Sequence, residues 1–304
     1  MPGAYAHIAI VNDAQKAAHT VGLRDETLMA LGLYLKYVEL GAVSPDYPYL
    51  ALGGEQAKWA DAMHYTSNAT LLRSGVAQVS KLPAEGRPKA TAWLLGFAAH
   101  MTTDMTIHPV VELRVGPYAQ NKGEHRRCEM HQDAFIFPRV LDVGDTGLSQ
   151  HLKLGIATCT DPNDEDALDP EICAIWLAML REANPDEDEI PDFHAWHGGF
   201  TGVLAAMAKA NHFVPLARHV CTGLNLAYPR MKDIDRTFLE QLQTPEGPMD
   251  YASIYARARS NVLAVWKGLD DALIHGRSDE LDQLEDWNLD TGRSVQTGKL
   301  VFWG

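Results

Sequence analysis

The sequence predicts an all-α fold in which the 304 residues form a single multi-helical domain. Three observations support this fold class. Apolar residues recur at helical spacing in several long segments, and prolines and glycines fall between those segments. The chain also contains no internal repeat, low-complexity tail or long flexible linker. A chain of this length can bury a large hydrophobic core.

The helices can be placed in order along the chain. A first helix is expected over Ala14–Leu40, and the prolines of Gly41–Pro48 predict the loop that follows it. A helix over Ala90–His108 should end at Pro109, because proline lacks the backbone N–H that a helix interior requires. Residues 110–124 are expected to be irregular or short-stranded. The other helices are predicted at Glu55–Leu72, Glu124–Phe135, Ile172–Leu180, Gly199–His219 and Tyr251–Leu273.

The remaining segments are expected to lie on the surface. Two acidic tracts, residues 161–171 and 185–193, flank one predicted helix and are interpreted as solvated loops. They lack the ligand spacing of an EF-hand, so no calcium site is predicted there. The Gly- and Thr-rich residues 287–304 predict a short C-terminal hairpin.

The charge of the chain excludes several functional classes. Lys and Arg number 26 against 40 Asp and Glu, which gives a formal charge of −14. Such a balance argues against a nucleic-acid coat or a protein that binds anionic membranes. No apolar run approaches the roughly 20 residues of a transmembrane helix, and the sequence does not start with a secretory signal. The four cysteines form no CxxC pair, so a cytoplasmic protein with reduced thiols is expected.

The strongest chemical signal is the run His100-Met-Thr-Thr-Asp104-Met-Thr-Ile-His108. Each step of four residues turns a helix by about 40° relative to full turns, so the three side chains share one helical face. Two imidazoles and one carboxylate suit a borderline metal such as Zn²⁺. Taken alone, the motif also fits a helix with two satisfied histidines and a solvated aspartate.

A second helical pair lies nearby. His125 and Glu129 are four residues apart on the predicted helix over 124–135. Asp133 lies a further four residues on and is better placed to accept a hydrogen bond from a ligand histidine than to bind metal itself. Without other ligands, this pair is a weak signal that an exposed polar turn explains better.

Other candidate ligands precede these motifs. His7 lies in an apolar stretch, Asp46 lies in the SPDYPY loop, and His64 lies on the predicted helix over 55–72. Each has an ordinary structural interpretation when considered alone. Together with the two helical motifs they give five histidines and three carboxylates within residues 1–140, enough for two or three metal ions. Residues 141–304 would then supply supporting helices and acidic loops.

This order of residues resembles the zinc-dependent phospholipase C family, which shares its fold with the single-strand-specific zinc nucleases. The most specific part of the resemblance is HxxxD, a following histidine, and then HxxxE. The resemblance implies an all-α fold of that type and two zinc ions, with a third also implied. The ligands it implies are His108, His125 and Glu129 for one ion, Asp46, His64, His100 and Asp104 for a second, and His7 with Asp104 for the third.

The resemblance also implies an activity. A metal-dependent phosphoester hydrolase of the phospholipase C type would use the zinc ions to activate water, with Asp46 as the base. The aromatic residues Tyr47, Tyr49 and Tyr65 would line the substrate cleft, where they could hold a choline-like cation or stack on a base. The expected substrate is a small phosphoester or a neutral-headgroup lipid. Nucleic acid is disfavoured by the charge of the chain, and the oligomeric state is left open.

Two other functions remain open at this point. One is a nuclease-type phosphodiesterase, because a metal-lined cleft can be locally positive in an acidic protein. The other is a metalloprotein that keeps the fold and ligands but has changed, biosynthetic chemistry. Sets of histidines and carboxylates also suit iron and manganese, so Fe or Mn is not excluded by the residues alone.

Overall fold

The computed structural model describes residues 3–51, 55–143, 147–210 and 228–304. Helices make up 70% of the structure, and strands are few and short, which confirms the predicted all-α class. The buried apolar side chains form one cluster that extends from Tyr5 to Trp303. Among the described residues, no helix combines the length and the apolar character that crossing a bilayer requires.

The helices have these bounds in chain order: α1 Ala4–Ala17, α2 Asp25–Leu33, α3 Leu35–Val43, α4 Ala57–Tyr65, α5 Asn68–Lys81, α6 Arg87–Val115, α7 Tyr118–Leu141, α8 Gly147–Leu154, α9 Pro170–Ala183, α10 Phe193–Ala210, α11 Tyr251–His275 and α12 Asp279–Asp282. Short 3₁₀ segments lie at Ala18–Val21, Ser44–Leu50, Ile156–Thr158, Met231–Asp233 and Arg236–Phe238. Two antiparallel hairpins pair β1 (Thr160–Asp161) with β2 (Asp164–Leu168) and β3 (Trp287–Asn288) with β4 (Arg293–Ser294).

Several predicted helix boundaries are wrong. The single helix expected over 14–40 is instead three helices. One break follows Gly22, which is left-handed (φ 68°) after α1 and its 3₁₀ extension, and the other lies at Tyr34, whose backbone is not helical (φ −117°, ψ 33°). The helix expected over 55–72 divides into α4 and α5 at Ser67, which is also left-handed (φ 54°). Isolated turns of this kind leave the apolar spacing on either side intact, so the spacing alone does not reveal them.

The region around Pro109 also differs from the prediction. Helix α6 continues through Pro109 to Val115, and residues 118–124 belong to α7 rather than to an irregular segment. Almost every side chain of α6 between Ala90 and Val111 is buried, so packing on all sides supports the helix where proline removes one hydrogen bond. The two helices are separated at Gly116 and Pro117.

The C-terminal half agrees more closely with the sequence analysis. Helices α9 and α11 contain the predicted segments 172–180 and 251–273, and the C-terminal hairpin is present as β3 and β4. The first acidic tract, residues 161–171, was predicted to be a loop and is not one. It forms the β1–β2 hairpin and then the N-terminus of α9. The helix expected over 199–219 is α10 as far as Ala210, and its residues 211–219 lie outside the described part of the chain.

The backbones of helices α3 and α6 are in close contact in the core. Helix α6 packs along α3, and glycines on both helices face each other. A Cβ atom added to Gly41 would lie 2.1 Å from the carbonyl oxygen of Trp93, and one added to Gly96 would lie 2.0 Å from that of Val38. The two glycines therefore allow a backbone approach that any larger residue would prevent.

We expect Gly96→Ala to destabilise the protein by about 3 kcal/mol, because the added methyl group must displace backbone atoms in a packed core. Urea unfolding would measure the change in the free energy of unfolding. The matched control is Gly268→Ala on α11, where nothing lies within 4 Å of the added Cβ. Alanine at that position should stabilise the helix by roughly 0.5–1 kcal/mol. Equal effects of the two substitutions would contradict the close contact.

Candidate metal centre

Histidines and carboxylates from five parts of the chain meet beside α6. Helix α6 is the common wall, since it carries three of them on one face at four-residue spacing. The contributing residues are His7 on α1, Asp46 on the 3₁₀ segment after α3, His64 on α4, His100, Asp104 and His108 on α6, and His125 and Glu129 on α7. The structure thus brings the separate sequence motifs to one region.

Asp104 lies at the centre of this group and is fully buried. Its Oδ1 is 3.2 Å from Nε2 of His7 and 3.9 Å from Nε2 of His108. Its Oδ2 is 3.2 Å from Nε2 of His100 and 3.7 Å from Nε2 of His64. One carboxylate is therefore surrounded by four imidazoles, two of which share its own helix.

Two sets of side chains place their ligand atoms within 4.8 Å of one another. One set is His7, His100 and Asp104, and the other is Asp46, His64 and His100. His100 belongs to both, and its ring stacks on that of His7 with the centroids 4.1 Å apart. Each set offers the imidazole and carboxylate ligands that suit a zinc ion.

Backbone carbonyl groups fix the orientation of the histidine rings. Nδ1 of His64 donates to the carbonyl of Ala60 at 2.7 Å, and Nδ1 of His100 donates to that of Ala42 at 2.8 Å. Nδ1 of His108 donates to the carbonyl of Leu289 at 2.6 Å. In each ring the donation from Nδ1 leaves Nε2 unprotonated in the neutral form and directed at the centre, which is the usual arrangement for a metal ligand.

The centre contains buried polar atoms without hydrogen-bond partners. They are Nδ1 and Nε2 of His7, Oδ1 of Asp46, both carboxylate oxygens of Asp104, Nε2 of His108 and Nδ1 of His125. A buried polar atom without a partner costs free energy comparable to a lost hydrogen bond. Most of these atoms face one another, and bound cations would satisfy them together. The residues therefore fit a metal ion.

The electrostatics of the centre also favour a bound cation. Burial alone would raise the pKa of Asp104, but the surrounding His100, His108 and His7 hold that pKa well below its usual value. Burial would lower the pKa of His100, yet Asp104 and Asp46 raise it to about 9. The carboxylates are thus balanced by a proton on His100. If His100 and the two carboxylates held a divalent ion, its charge would replace this proton in balancing them.

Burial shifts the pKa of other groups at the centre in the direction that favours their neutral forms. Burial lowers the pKa of His7, of His108 and of His125, so these rings are neutral and available as ligands near neutral pH. Burial raises the pKa of Glu129. Neutral imidazole is the form that binds metal, so the three rings are in the correct protonation state.

The implied ligand set of His108, His125 and Glu129 is more widely spaced than the other two. Nδ1 of His125 lies 3.9 Å from Oε1 of Glu129, while its Nε2 donates to the carbonyl of Gly116 at 2.6 Å. Within the described part of the chain, His125, Glu129 and His108 do not form a set whose ligand atoms all lie within 4.8 Å. The structure therefore places these three at one end of the centre without bringing them as close as the first two sets.

Asp133 acts on the N-terminus of α1. Its Oδ1 accepts the backbone N–H of Ala6 at 2.8 Å, and its Oδ2 accepts the hydroxyl of Tyr228 at 3.1 Å. A Cβ on Gly3 would lie 1.8 Å from Oδ2, so glycine is required beside the carboxylate. These hydrogen bonds differ from the predicted acceptor role for a ligand histidine. They hold the helix that carries His7, so the effect on the centre is indirect.

We expect Asp133→Asn to remove a pH-dependent loss of stability. Burial raises the pKa of Asp133 to about 8, against roughly 3.9 in an unfolded chain. Between these values the folded state binds more protons than the unfolded state, so the wild-type free energy of unfolding falls as pH rises. Urea unfolding at pH 5 and pH 8 in chelator should show the variant gaining on the wild type by about 2 kcal/mol or more. An unchanged difference at the two pH values would contradict the buried carboxyl.

A cleft of about 430 Å³ opens beside the centre. Asp46 and Glu129 lie on its wall, together with Tyr47 and Tyr49. Tyr47 is fully buried and stacks on Phe200, while the Tyr49 hydroxyl donates to Asp61 at 2.7 Å. Tyr49 is partly exposed, so a molecule in the cleft could contact its ring and the carboxylates of Asp46 and Glu129.

Tyr65 lies outside this wall. Its hydroxyl donates to Oδ2 of Asp290 at 2.9 Å, and its ring centroid is 6.0 Å from that of His64. The Tyr49 ring lies against the same histidine, with 5.8 Å between the centroids, so Tyr49 and Tyr65 flank His64. Tyr65 also contacts the C-terminal turn through Asp290.

Sequence reasoning missed several residues around the centre. Oδ1 of Asp290 lies 3.9 Å from Nδ1 of His108, and the neighbouring Leu289 carbonyl binds the same nitrogen. No local motif marks these two residues, because they come from the C-terminal hairpin. Lys122 and Arg126 also line the cleft. Their helical spacing relative to Glu129 was available in the sequence and could have revealed them.

The fold and the centre together define an all-helical protein with buried histidine and aspartate groups that could hold metal ions. The family model for zinc dependent phospholipase C matches residues 6–186, more than half of the chain, so the protein belongs to this family. The match includes every candidate ligand from His7 to Glu129. Comparisons with curated proteins and with solved structures give no significant match.

Proposed function

We propose that the protein is a zinc-dependent hydrolase of phosphoester bonds, of the phospholipase C type. One observation carries the proposal. Buried histidine and carboxylate atoms without partners converge on Asp104, and Asp46 links this group to an open cleft. Membership of the zinc dependent phospholipase C family supports the reaction class. The substrate would be a small phosphoester or a phospholipid.

We assign the ligands to two ions, with a third also accommodated. One ion would be held by Asp46, His64, His100 and Asp104, a set supported by the short distances around Asp104. A second would be held by His108, His125 and Glu129. A third would lie between His7 and Asp104, whose Nε2 and Oδ1 are 3.2 Å apart. These assignments follow the family pattern residue by residue.

Different residues of the chain would have different roles in hydrolysis. Zinc ions bound at the centre supply water with a pKa near 7 and positive charge for the phosphoryl oxygens. Asp46 lies on the cleft wall, and His100 and His64 hold its pKa below the usual value against the opposing effect of burial. It therefore remains an anion that can accept a proton from water at the cleft. Tyr47 and Tyr49 lie beside Asp46 on the same wall.

The test is to measure metal content and turnover on the same purified protein. Elemental analysis should find about two zinc ions per chain, and the protein should hydrolyse p-nitrophenyl-phosphorylcholine. His125→Ala should lose zinc and activity together. Iron as the dominant metal with no phosphoester turnover would contradict the proposal and favour changed chemistry on the same fold. Preferential cleavage of single-stranded nucleic acid would favour the nuclease alternative.

A further inference from the structure

Two basic side chains on α7 face the same cleft as the candidate metal ligands. Lys122 and Arg126 are four residues apart, so they lie on one face of the helix. Both line the cleft of about 430 Å³ that Asp46 and Glu129 also line. Glu129 is three residues beyond Arg126, so the basic pair and this proposed zinc ligand lie on adjacent turns of the same side of α7.

Neither cation has a counter-ion in the described part of the chain. Both side chains are exposed, and no described carboxylate lies within 4.0 Å of either. The adjacent Arg127 differs, since it lies 3.8 Å from Glu124 and 3.6 Å from Asp235. In a chain with a formal charge of −14, two neighbouring cations without carboxylate partners at a cleft wall are available for an anionic ligand.

Aromatic contacts connect the basic pair to the candidate ligands. Nζ of Lys122 lies 5.5 Å from the ring centroid of Tyr118. The Tyr118 ring is in turn perpendicular to that of His125, with 5.3 Å between the centroids. The Tyr118 ring therefore contacts both Lys122 and the proposed zinc ligand His125. A molecule with its phosphate at the metal centre could extend a few bonds and reach the basic pair.

The charge of the cleft indicates what such a molecule would carry. The carboxylates Asp46, Asp104 and Glu129 together carry −3, and two zinc ions would exceed this by one positive charge. Lys122 and Arg126 add two further positive charges on the α7 wall of the cleft. A single phosphodiester supplies one negative charge, and a choline ester supplies none overall. A second anionic group would match the cleft better than a cationic one.

We propose that Lys122 and Arg126 bind a second phosphate or carboxylate group of the substrate, a few bonds from the phosphodiester that is cleaved. This inference rests on the proposed phosphoester hydrolysis and narrows its substrate class to doubly anionic esters. It also replaces the expected neutral or choline-like headgroup. Arg126 would form paired hydrogen bonds to the anion, and Lys122 would act as a point charge.

The first experiment compares three p-nitrophenyl phosphodiesters that differ only in the second ester group, which is choline, ethyl or 3-phosphopropyl. For the zinc-loaded wild type, kcat/KM should be at least about 10-fold higher for the phosphopropyl ester than for the choline ester. In the double variant Lys122→Ala, Arg126→Ala this ester should lose about 10- to 100-fold, whereas the ethyl ester should change less than about 3-fold. Arg126→Glu should shift the preference towards choline.

The control removes the same charge elsewhere. Lys81 and Lys299 are exposed, lie outside the cleft and have no described carboxylate within 4.0 Å. Lys81→Ala with Lys299→Ala should leave the order of the three esters unchanged. A loss of the same size for all three esters in the Lys122/Arg126 variant, or no loss at all, would overturn the inference.

A lipid arm identifies the source of the anion. Monomeric dihexanoyl phosphatidylcholine is compared with dihexanoyl phosphatidylglycerol phosphate in the wild type and the double variant. A loss confined to the second lipid would identify a phosphorylated headgroup. A loss confined to the phosphopropyl ester would identify a soluble phosphate compound. Either result supports the inference, because the shared chemistry is the second anion.

A binding measurement separates this inference from the proposed function. Isothermal titration should show that propane-1,3-diyl bisphosphate binds the zinc-loaded wild type about 10-fold more tightly than phosphocholine does, and that the double variant loses this difference. Equal affinities in the wild type would overturn the inference even if every ester is hydrolysed. Absence of hydrolysis of all three esters at full zinc content would contradict the proposed function, while the titration would still decide the role of the basic pair.

Discussion

Asp104→Asn should remove at least one zinc ion per chain and lower the rate of phosphoester hydrolysis by about 1,000-fold or more. Asp104 has no exposed surface, and its two oxygens face the rings of His7 and His100 at 3.2 Å each. The amide retains the shape of the carboxylate but replaces one oxygen with an NH₂ group. That group cannot bind a cation, and the substitution removes the negative charge shared by the proposed site at Asp46, His64 and His100 and the one at His7.

The control for this variant is Asp271→Asn, an exposed carboxylate on α11 that pairs with Lys267. It should retain full zinc content and activity, since exposed ion pairs contribute little. Elemental analysis and turnover of p-nitrophenyl-phosphorylcholine are measured on both variants. If Asp104→Asn and His125→Ala both retain the zinc content of the wild type, the proposed ligand assignment is wrong.

Removal of metal should lower the melting temperature by about 10 °C. A ligand that binds only the folded state at about 1,000 times its dissociation constant stabilises a protein by roughly 4 kcal/mol. Each kcal/mol changes the melting temperature of a chain of this size by a few degrees. Without the cation, the buried atoms of Asp104 and His7 that lack hydrogen bonds would have no partner. The folded state would therefore be destabilised relative to the unfolded state.

Differential scanning calorimetry with and without chelator measures this shift. Added Zn²⁺ should restore the original melting temperature, whereas Mg²⁺ should not, because it prefers oxygen ligands and an octahedral arrangement. Asp104→Asn should show a much smaller response to chelator than the wild type. A chelator response of the same size in this variant would show that the stabilising metal lies elsewhere.

The part of the site that lies on one helix could be predicted from the sequence. His100, Asp104 and His108 are related by helical spacing alone, so their common face follows from local geometry. The length of α6 could not be predicted correctly, because its continuation past Pro109 depends on burial on all sides. Local sequence determines which face a residue occupies, whereas tertiary packing determines where the helix ends.

The convergence of distant residues required the family resemblance. Nothing in the spacing of His7, Asp46 and His64 states that they meet at Asp104, because their positions depend on how separate helices pack. Neither the helical spacing nor the family resemblance predicted the hydrogen bond from His108 to the Leu289 carbonyl, because its acceptor is a backbone atom in the C-terminal hairpin. Backbone acceptors carry no side-chain signature, so they cannot be recognised from residue types.

The bond between His108 and Leu289 has a consequence for the order of events during synthesis. The ribosome makes His7 and His108 well before Leu289. At roughly 5–20 residues per second, about 15–60 s pass between the synthesis of His7 and that of Leu289. Metal capture with the final geometry therefore requires Leu289 to have been synthesised, and a nascent chain that stalls before Leu289 would present an incompletely oriented His108 to any ion it meets.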